Sequence, residues 1–224
     1  MQAMKNLWRS NKGFLLFVSL MFVFRSAVAD WNLVPSSSMN PTLVSGDRVV
    51  VNKMAYSLRV PFTLHHLAHW SSPMRGDVIT FDSPKDEVNL IKRVVAVAGD
   101  VVSMRDNTLT INGQIIERTL VEAAKVISTE SGLLTAQVWS EVIDAKHFNV
   151  ARIEYANRSR DFDPVTVPTG HVLVLGDSRD NSNDSRFIGF INTDRITGQA
   201  VRVAMSHNYD LLYLPRADRW WIPL

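Results

Sequence analysis

Beyond Asp30 the chain is built from short runs of β-branched and aromatic residues, each cut by Gly, Asp, Asn or Pro, and no run is long enough to carry an amphipathic helix. They lie at 48–51, 77–81, 90–97, 101–104, 171–175 and 196–204. Runs of this length, bounded by turn formers, are strand signals. The sharpest is Thr108-Leu-Thr-Ile-Asn-Gly-Gln-Ile-Ile116, where Asn112-Gly113 supplies the two positive-φ positions of a tight hairpin turn. The pattern predicts a mainly β fold with antiparallel sheets.

Composition narrows the class. With 224 residues, 46% hydrophobic and 21% charged, the chain can bury a sizeable core, which excludes disorder and low complexity. The absence of cysteine excludes a disulfide scaffold, a thiolate zinc site and a cysteine nucleophile. Residues 119–145 mix Ala, Glu and Leu with Thr and Val at no clear period, so 105–165 reads as an insertion or second lobe with weak local signals.

The net charge of +2 is unevenly placed. Lys5, Arg9, Lys12 and Arg25 against Asp30 give the first thirty residues +3, which leaves −1 for the body. A nucleic-acid binder spreads basic charge over its folded surface, so no nucleic-acid partner is expected. The apolar run 13–24 follows Lys12 and precedes Arg25 and Ala27-Val28-Ala29. Carried through Ala29, a helix here would rise about 25 Å, near the roughly 30 Å needed to cross a hydrocarbon core. The preceding cations leave the N-terminus in the cytoplasm and send the body across. The same parts also make a removable leader with an A-x-A site, so a retained anchor and a cleaved signal are both open.

Two further features have ordinary readings beside sharper ones. His65-His66-x-x-His69 could gather imidazoles around a metal, but the H-E-x-x-H pattern and its general base are missing, and a packed loop beside Trp70 is favoured. Trp220-Trp221 near Arg216 and Arg219 suits either a lipid interface or packing on a sheet.

Chemistry concentrates in three places. Pro35-Ser36-Ser37-Ser38-Met39-Asn40-Pro41 holds three hydroxyls between two prolines, and by itself reads as a linker. A serine becomes a nucleophile only when a base takes its proton, and no G-x-S-x-G elbow points to a histidine for that task. Residues 89–98 embed Lys92 and Arg93 in an otherwise apolar strand. On a pleat Lys92 shares a face with Leu90 and Val94, while Arg93 shares the other with Ile91 and Val95. A guanidinium does not deprotonate in proteins, whereas a desolvated ammonium loses several pKa units, so of the two only Lys92 could serve as base. Gly176-Asp-Ser-Arg-Asp-Asn-Ser-Asn-Asp-Ser-Arg186 is a polar loop after an apolar strand. It lacks the sixth-position Gly and terminal Glu of a calcium loop, and otherwise reads as a solvated turn.

Ser36-x-Ser38-Met-x-Pro41-Thr42, Arg75-Gly-Asp77, Ile91-Lys92-Arg93 with Gly99-Asp100, and the 176–186 loop resemble, in order, the sequence boxes of the type I signal peptidase family. The resemblance implies a membrane-anchored serine endopeptidase that removes signal peptides from exported preproteins. Its catalytic domain would be an antiparallel β-sheet structure with an inserted smaller β lobe after one transmembrane helix. The implied division is a cytoplasmic N-terminus 1–12, an anchor 13–29, a catalytic domain 30–104 and 166–224 outside the cytoplasmic membrane, and the insertion 105–165. Ser38 would be the nucleophile and Lys92 the general base. Ser36 would complete an oxyanion hole with the Ser38 amide, and Ser182 would hydrogen-bond Lys92. Asp184 and Arg186 would brace the loop as a charge pair, with Asp177 and Arg179 as further supports. Val34, Pro35, Met39, Leu90 and Ile91 would line shallow pockets for small residues at −1 and −3. Leu90 departs from relatives with an aromatic residue there, which puts fine selectivity in question. The implied partners are preproteins and the bilayer, with no metal or organic cofactor. The alternatives are a relative dedicated to one substrate, such as a conjugative pilin, and a catalytically silent tethered β binding module.

Overall fold

The computed structural model describes residues 11–61, 63, 65–153, 161–209 and 212–224. Lys5 and Arg9 of the basic N-terminus lie outside them. A helix, α1 (Lys12–Ala27), precedes strands β1 (Ala29–Leu33), β2 (Asp47–Asn52), β3 (Ser57–Arg59), β4 (His66–His69), β5 (Val78–Asp82), β6 (Asn89–Val97), β7 (Val101–Arg105), β8 (Thr108–Ile111) and β9 (Gln114–Ile115). Then come β10 (Arg118–Thr129), β11 (Gly132–Ile143), β12 (Lys146–Ile153), β13 (Phe162–Thr166) and β14 (His171–Leu175). A one-turn helix α2 (Ser185–Ile188) separates these from β15 (Ile191–Asn192), β16 (Ile196–Asn208), β17 (Leu214–Pro215) and β18 (Ile222–Pro223).

The fold is mainly β and its strand pairings are antiparallel, as the turn-punctuated runs predict. A nine-stranded sheet runs β1-β2-β16-β5-β6-β14-β15, with β17 and β18 also paired to β16. The remaining sheets are β10-β11-β12, β13-β7-β8-β9 and the β3-β4 pair. The hairpin between β8 and β9 turns at Asn112 and Gly113, with φ of 52° and 80°, the expected left-handed pair.

The central strand β6 is buried continuously from Lys92 to Ala96, which explains why its sequence reads as an unbroken apolar run apart from its two cations. Val95 and Ala96 of β6, with Leu173 and Leu175 of β14, pack on Val102, Met104, Leu109, Ile143, Phe148 and Val150 from the smaller sheets. This shared core holds the two sets of strands together.

Residues 119–145, patternless in sequence, form most of β10 and β11, the two longest strands of their sheet. Of the twelve residues in β10 only Ile127 is buried. With no buried face there is no apolar alternation to read, and the strand is held by its ladder to β11.

At the N-terminus the helix ends at Ala27 rather than running through Ala29, because Ala29 opens β1 and pairs with Asn52. Backbone groups that a longer helix would use are taken by the sheet. Its sixteen residues rise about 24 Å, and no helix among the described residues is long and apolar enough to cross a membrane by itself. Among the described residues its apolar side chains are largely exposed, Phe14, Leu16 and Phe17 each by more than 60%. At its foot Arg25 bonds Asp30 at 2.7 Å and lies over the Trp31 ring. At the other terminus Trp220 and Trp221 stay exposed while Ile222 pairs with Val203 of β16.

Candidate functional site

Four segments converge at the end of β6. The turn after β1, the strand itself, the loop after β14 and the tip of the β10–β11 hairpin bring together residues far apart in sequence. Lys92 Nζ donates to Ser38 Oγ at 2.8 Å and to the Ile91 carbonyl at 2.9 Å. Lys92 is 2% exposed and Ser38 7%. Desolvation pulls the ammonium down from 10.5 to about 8, against the opposing attraction of Asp184, Asp177 and Glu130. Ser36 Oγ stands 3.3 Å from Ser38 Oγ. An acceptor of suitable basicity therefore lies beside a hydroxyl in a dry site, with a second hydroxyl next to it.

The loop after β14 holds the turn in place. Ser178 N–H donates to the Ser38 carbonyl at 3.1 Å. Asp184 caps α2, accepts the Gly176 amide at 3.0 Å and pairs with Arg186 at 2.8 Å. Arg186 also donates to the Arg179 carbonyl at 2.6 Å, so the expected Asp184–Arg186 brace spans both halves of the loop. Of the two further supports, Asp177 pairs with Arg93 through two hydrogen bonds of 2.8 and 2.7 Å. Arg179 pairs with Glu141 of β11, both 2% exposed. The loop is thus tied to β6 by one buried ion pair and to the smaller lobe by another.

Ser182 departs from expectation. Its Oγ is buried and makes no hydrogen bond with the described residues, because Lys92 directs its bonds to Ser38 and to its own strand. Ser182 packs instead over Gly176, where a Cβ would lie 2.2 Å from Ser182 Oγ and 2.5 Å from the Ser38 carbonyl oxygen. Glycine is required there for the loop to approach the serine turn.

Of the residues expected to line apolar pockets, Val34 and Met39 are fully buried in one cluster, with Ile91 packed at its edge. Leu90 packs against a different cluster around Ile79, Phe81 and Val94. Pro35 is exposed, and its carbonyl accepts Ser45 Oγ at 3.3 Å. Further out, Arg75 bonds Asp100 at 2.6 Å and Asp144 at 2.9 Å, and Asp77 accepts Lys146 at 2.7 Å. These pairs explain the Arg75-Gly-Asp77 and Gly99-Asp100 boxes as braces joining the β5 and β6 turns to the smaller lobe. Asp100, pushed up by burial, is held down at about 2 by the stronger pull of Arg75 and its neighbours.

His66 and His69 come together with Asp194, their ligand atoms within 4.8 Å, while His65 is not part of the group. The two rings stack with centroids 4.3 Å apart and planes 24° from parallel. In-plane lone pairs on stacked rings run side by side rather than converging, and His66 Nδ1 is engaged with Ser57 Oγ at 2.8 Å.

Sequence reasoning missed Glu130, Asn181 and Glu141. Glu130 accepts the Ser37 amide at 2.8 Å and the Ser37 hydroxyl at 2.7 Å, and Asn181 donates to both partners. Glu130 occupies the turn between two strands that show no period, so no pattern could have aimed it at the serine segment.

Comparison with known proteins places these features in a family. Residues 7–205 match the family described as signal peptidase, peptidase S26. A Signal peptidase I of Pseudomonas fluorescens is 35% identical over 223 residues, covering 93% of this chain and 76% of the relative. The Pseudomonas aeruginosa protein of that name is 33% identical, covering 88% and 72%. That of Aquifex aeolicus is 32% identical, covering 86% and 82%.

Proposed function

Because the chain belongs to the S26 signal peptidase family of serine endopeptidases, we propose that it removes signal peptides from exported preproteins with Ser38 as nucleophile and neutral Lys92 as general base. The observation that carries this reading is the 2.8 Å separation of Lys92 Nζ from Ser38 Oγ in a buried site. Protonated, the amine donates to the hydroxyl. Once neutral, its lone pair takes the hydroxyl proton across the same distance while the serine oxygen attacks the scissile carbonyl. Lysine with a pKa of about 8 is neutral in roughly a tenth of molecules at pH 7, against well under one in a thousand at the ordinary value. Negative charge on the carbonyl oxygen is met by the Ser38 amide and the Ser36 hydroxyl. Lys92 then returns the proton to the leaving amine; a water that gives its proton to Lys92 attacks the acyl-enzyme, and Lys92 passes that proton to the departing Ser38 Oγ, restoring both groups.

The preprotein segment enters as an extended strand, its small −1 and −3 side chains meeting the partly exposed Ile91 and Leu90 with Pro35 at the margin, over a floor that the buried Val34 and Met39 support from beneath. Helix α1 is read as the membrane anchor, with residues 1–12 on the cytoplasmic side and the β body on the outer side. Its length is below that of an average span, so its flanking groups, Arg25 among them, reach toward the headgroups or the bilayer thins locally. The exposed apolar side chains of α1 support this.

The test is incubation of the full chain in detergent with a preprotein, reading product mass and the N-terminal mass of the enzyme together. Cleavage after an alanine-type residue, from an enzyme that retains residues 1–29, is expected. Below pH 8, kcat/KM falls tenfold per unit as Lys92 takes up its proton. A profile flat from pH 6 to 9 would count against Lys92 as base. In the same assay Gly176→Ala lowers kcat about a hundredfold, since its Cβ displaces the Ser38 carbonyl; wild-type kcat would show that the loop yields without moving the nucleophile.

A further inference from the structure

The Glu130 carboxylate is far from the reaction in sequence, yet it holds the residue that precedes the nucleophile. Ser37, 1% exposed, commits its amide and its hydroxyl to the two oxygens of Glu130. Asn181, from the loop after β14, donates to Ser37 Oγ at 2.7 Å and to Glu130 at 3.1 Å. Two positions beyond the nucleophile, Asn40 Nδ2 donates to the Ser128 carbonyl at 3.1 Å on the same hairpin tip. The serine segment is therefore gripped on both sides of Ser38 by a turn more than eighty residues away. The turn is itself rigid: Thr129 Oγ1 donates to the Gly132 carbonyl and accepts the Ser131 amide. Ile127 anchors the strand below it in a cluster with Ala136, Ala151 and Ile153.

We propose that Glu130 is a positioning residue, the clamp by which the β10–β11 hairpin fixes the backbone at Ser37 and so sets Ser38 against Lys92. This rests on the Ser38–Lys92 reading. An attack geometry displaced by about 1 Å loses about a hundredfold in rate, and a two-point grip on the adjacent amide and hydroxyl removes that freedom. Neutral Ser37 alone could not hold a hairpin tip in this way, whereas an ionised acceptor makes hydrogen bonds roughly twice as strong as neutral ones. Glu130 is ionised throughout the working range: burial pushes its carboxyl up, but Ser37 and Asn181 together hold it down at about 2.

The clamp has a second consequence. Glu130 contributes negative charge that favours the Lys92 ammonium, alongside Asp184 and Asp177. Those two are already paired with Arg186 and Arg93, and Arg179 beside them is paired with Glu141. Removing the Glu130 charge therefore changes the field at Lys92 while leaving these pairs in place.

The experiment compares full-length wild type, Glu130→Gln, Glu130→Ala and Ser131→Ala in the preprotein assay across pH 6 to 10, with kcat expressed per folded molecule. Ser131→Ala, at an exposed neighbour in the same turn, controls for disturbance of the hairpin. Glu130→Gln is expected to lower kcat about tenfold with little change in KM, and Glu130→Ala about a hundredfold. In both, the acid limb moves to lower pH, a readout that loosening of the hairpin does not produce. The proposal is overturned if kcat per folded molecule stays within twofold of wild type in both Glu130 variants, or if the acid limb does not move. Ser38→Ala run beside them separates the two claims: cleavage by that variant would sink the nucleophile assignment itself, whereas its inactivity with wild-type behaviour of both Glu130 variants removes only the clamp.

Discussion

Lys92→Met loses preprotein cleavage by about a hundredfold to ten-thousandfold and at the same time folds more stably at neutral pH. The kinetic loss follows from removing the general base at 2.8 Å from Ser38 Oγ, a contribution of about 10² to 10⁴ in rate. The gain in stability follows from burial. Lys92 titrates at 10.5 in the unfolded chain and at about 8 in the folded one, so the folded state binds its proton more weakly. That penalty is fully present below pH 8, shrinks as pH rises, and vanishes above about 10.5. At pH 7 it amounts to about 3 kcal/mol, which methionine of similar length removes. Denaturant unfolding in detergent should therefore show the variant ahead of wild type at pH 7 and level with it near pH 10.5. A variant less stable than wild type at pH 7 would mean that the amine is better solvated than its 2% exposure indicates. The trade is physical: the desolvation that makes the amine a base also strains the fold.

What could be read from the sequence and what could not divide along the same line. Strands with one or both faces buried advertise themselves, and β2, β5, β6, β7, β14 and β16 all fall where β-branched runs stand. The hairpin at Asn112-Gly113 was legible because left-handed backbone narrows the choice of residue. Lys92 could be separated from Arg93 by chemistry alone, since only one of the two can lose its proton. The hairpin β10–β11 could not be read, because β10 buries one side chain and its sequence records no face. Long-range polar partners were equally silent. Nothing local joins Glu130 to Ser37, Glu141 to Arg179 or Asp177 to Arg93, which are 93, 38 and 84 positions apart. Asp177 and Arg179 were read as supports from their shared loop, and both do brace it, but each reaches outward to a different strand. The extra lobe thus enters the site through two carboxylates, neither of them in a recognisable motif.

Of these pairs, Asp177 with Arg93 should give the largest stability effect. Asp177→Ala removes two hydrogen bonds to a guanidinium that is 4% exposed, leaving it with the Gly76 carbonyl at 2.8 Å, a longer bond to Thr42 Oγ1 at 3.4 Å and the face of Phe148, 4.1 Å away. Thr42 Oγ1, which donates to Asp177 at 2.6 Å, loses its shorter acceptor too and is left with the Asn149 carbonyl at 3.4 Å. A buried cation without its counterion costs about 3 to 5 kcal/mol, and denaturant midpoints at pH 8 should register that loss. The pair itself is not worth so much, because desolvating both charges offsets most of their attraction. Asp177→Leu combined with Arg93→Met should therefore recover most of the lost stability, while Arg93→Met alone leaves a carboxylate buried and remains deficient. If Asp177→Ala unfolds within about 1 kcal/mol of wild type, water reaches Arg93 once its partner is gone. Activity separates recovery of the fold from recovery of the site. The double variant regains its fold, yet the loop that carries Ser178 and Gly176 against the Ser38 carbonyl is no longer tied to the strand that carries Lys92. Cleavage should remain depressed in a protein whose stability has returned, because an apolar pair fills the volume without fixing direction.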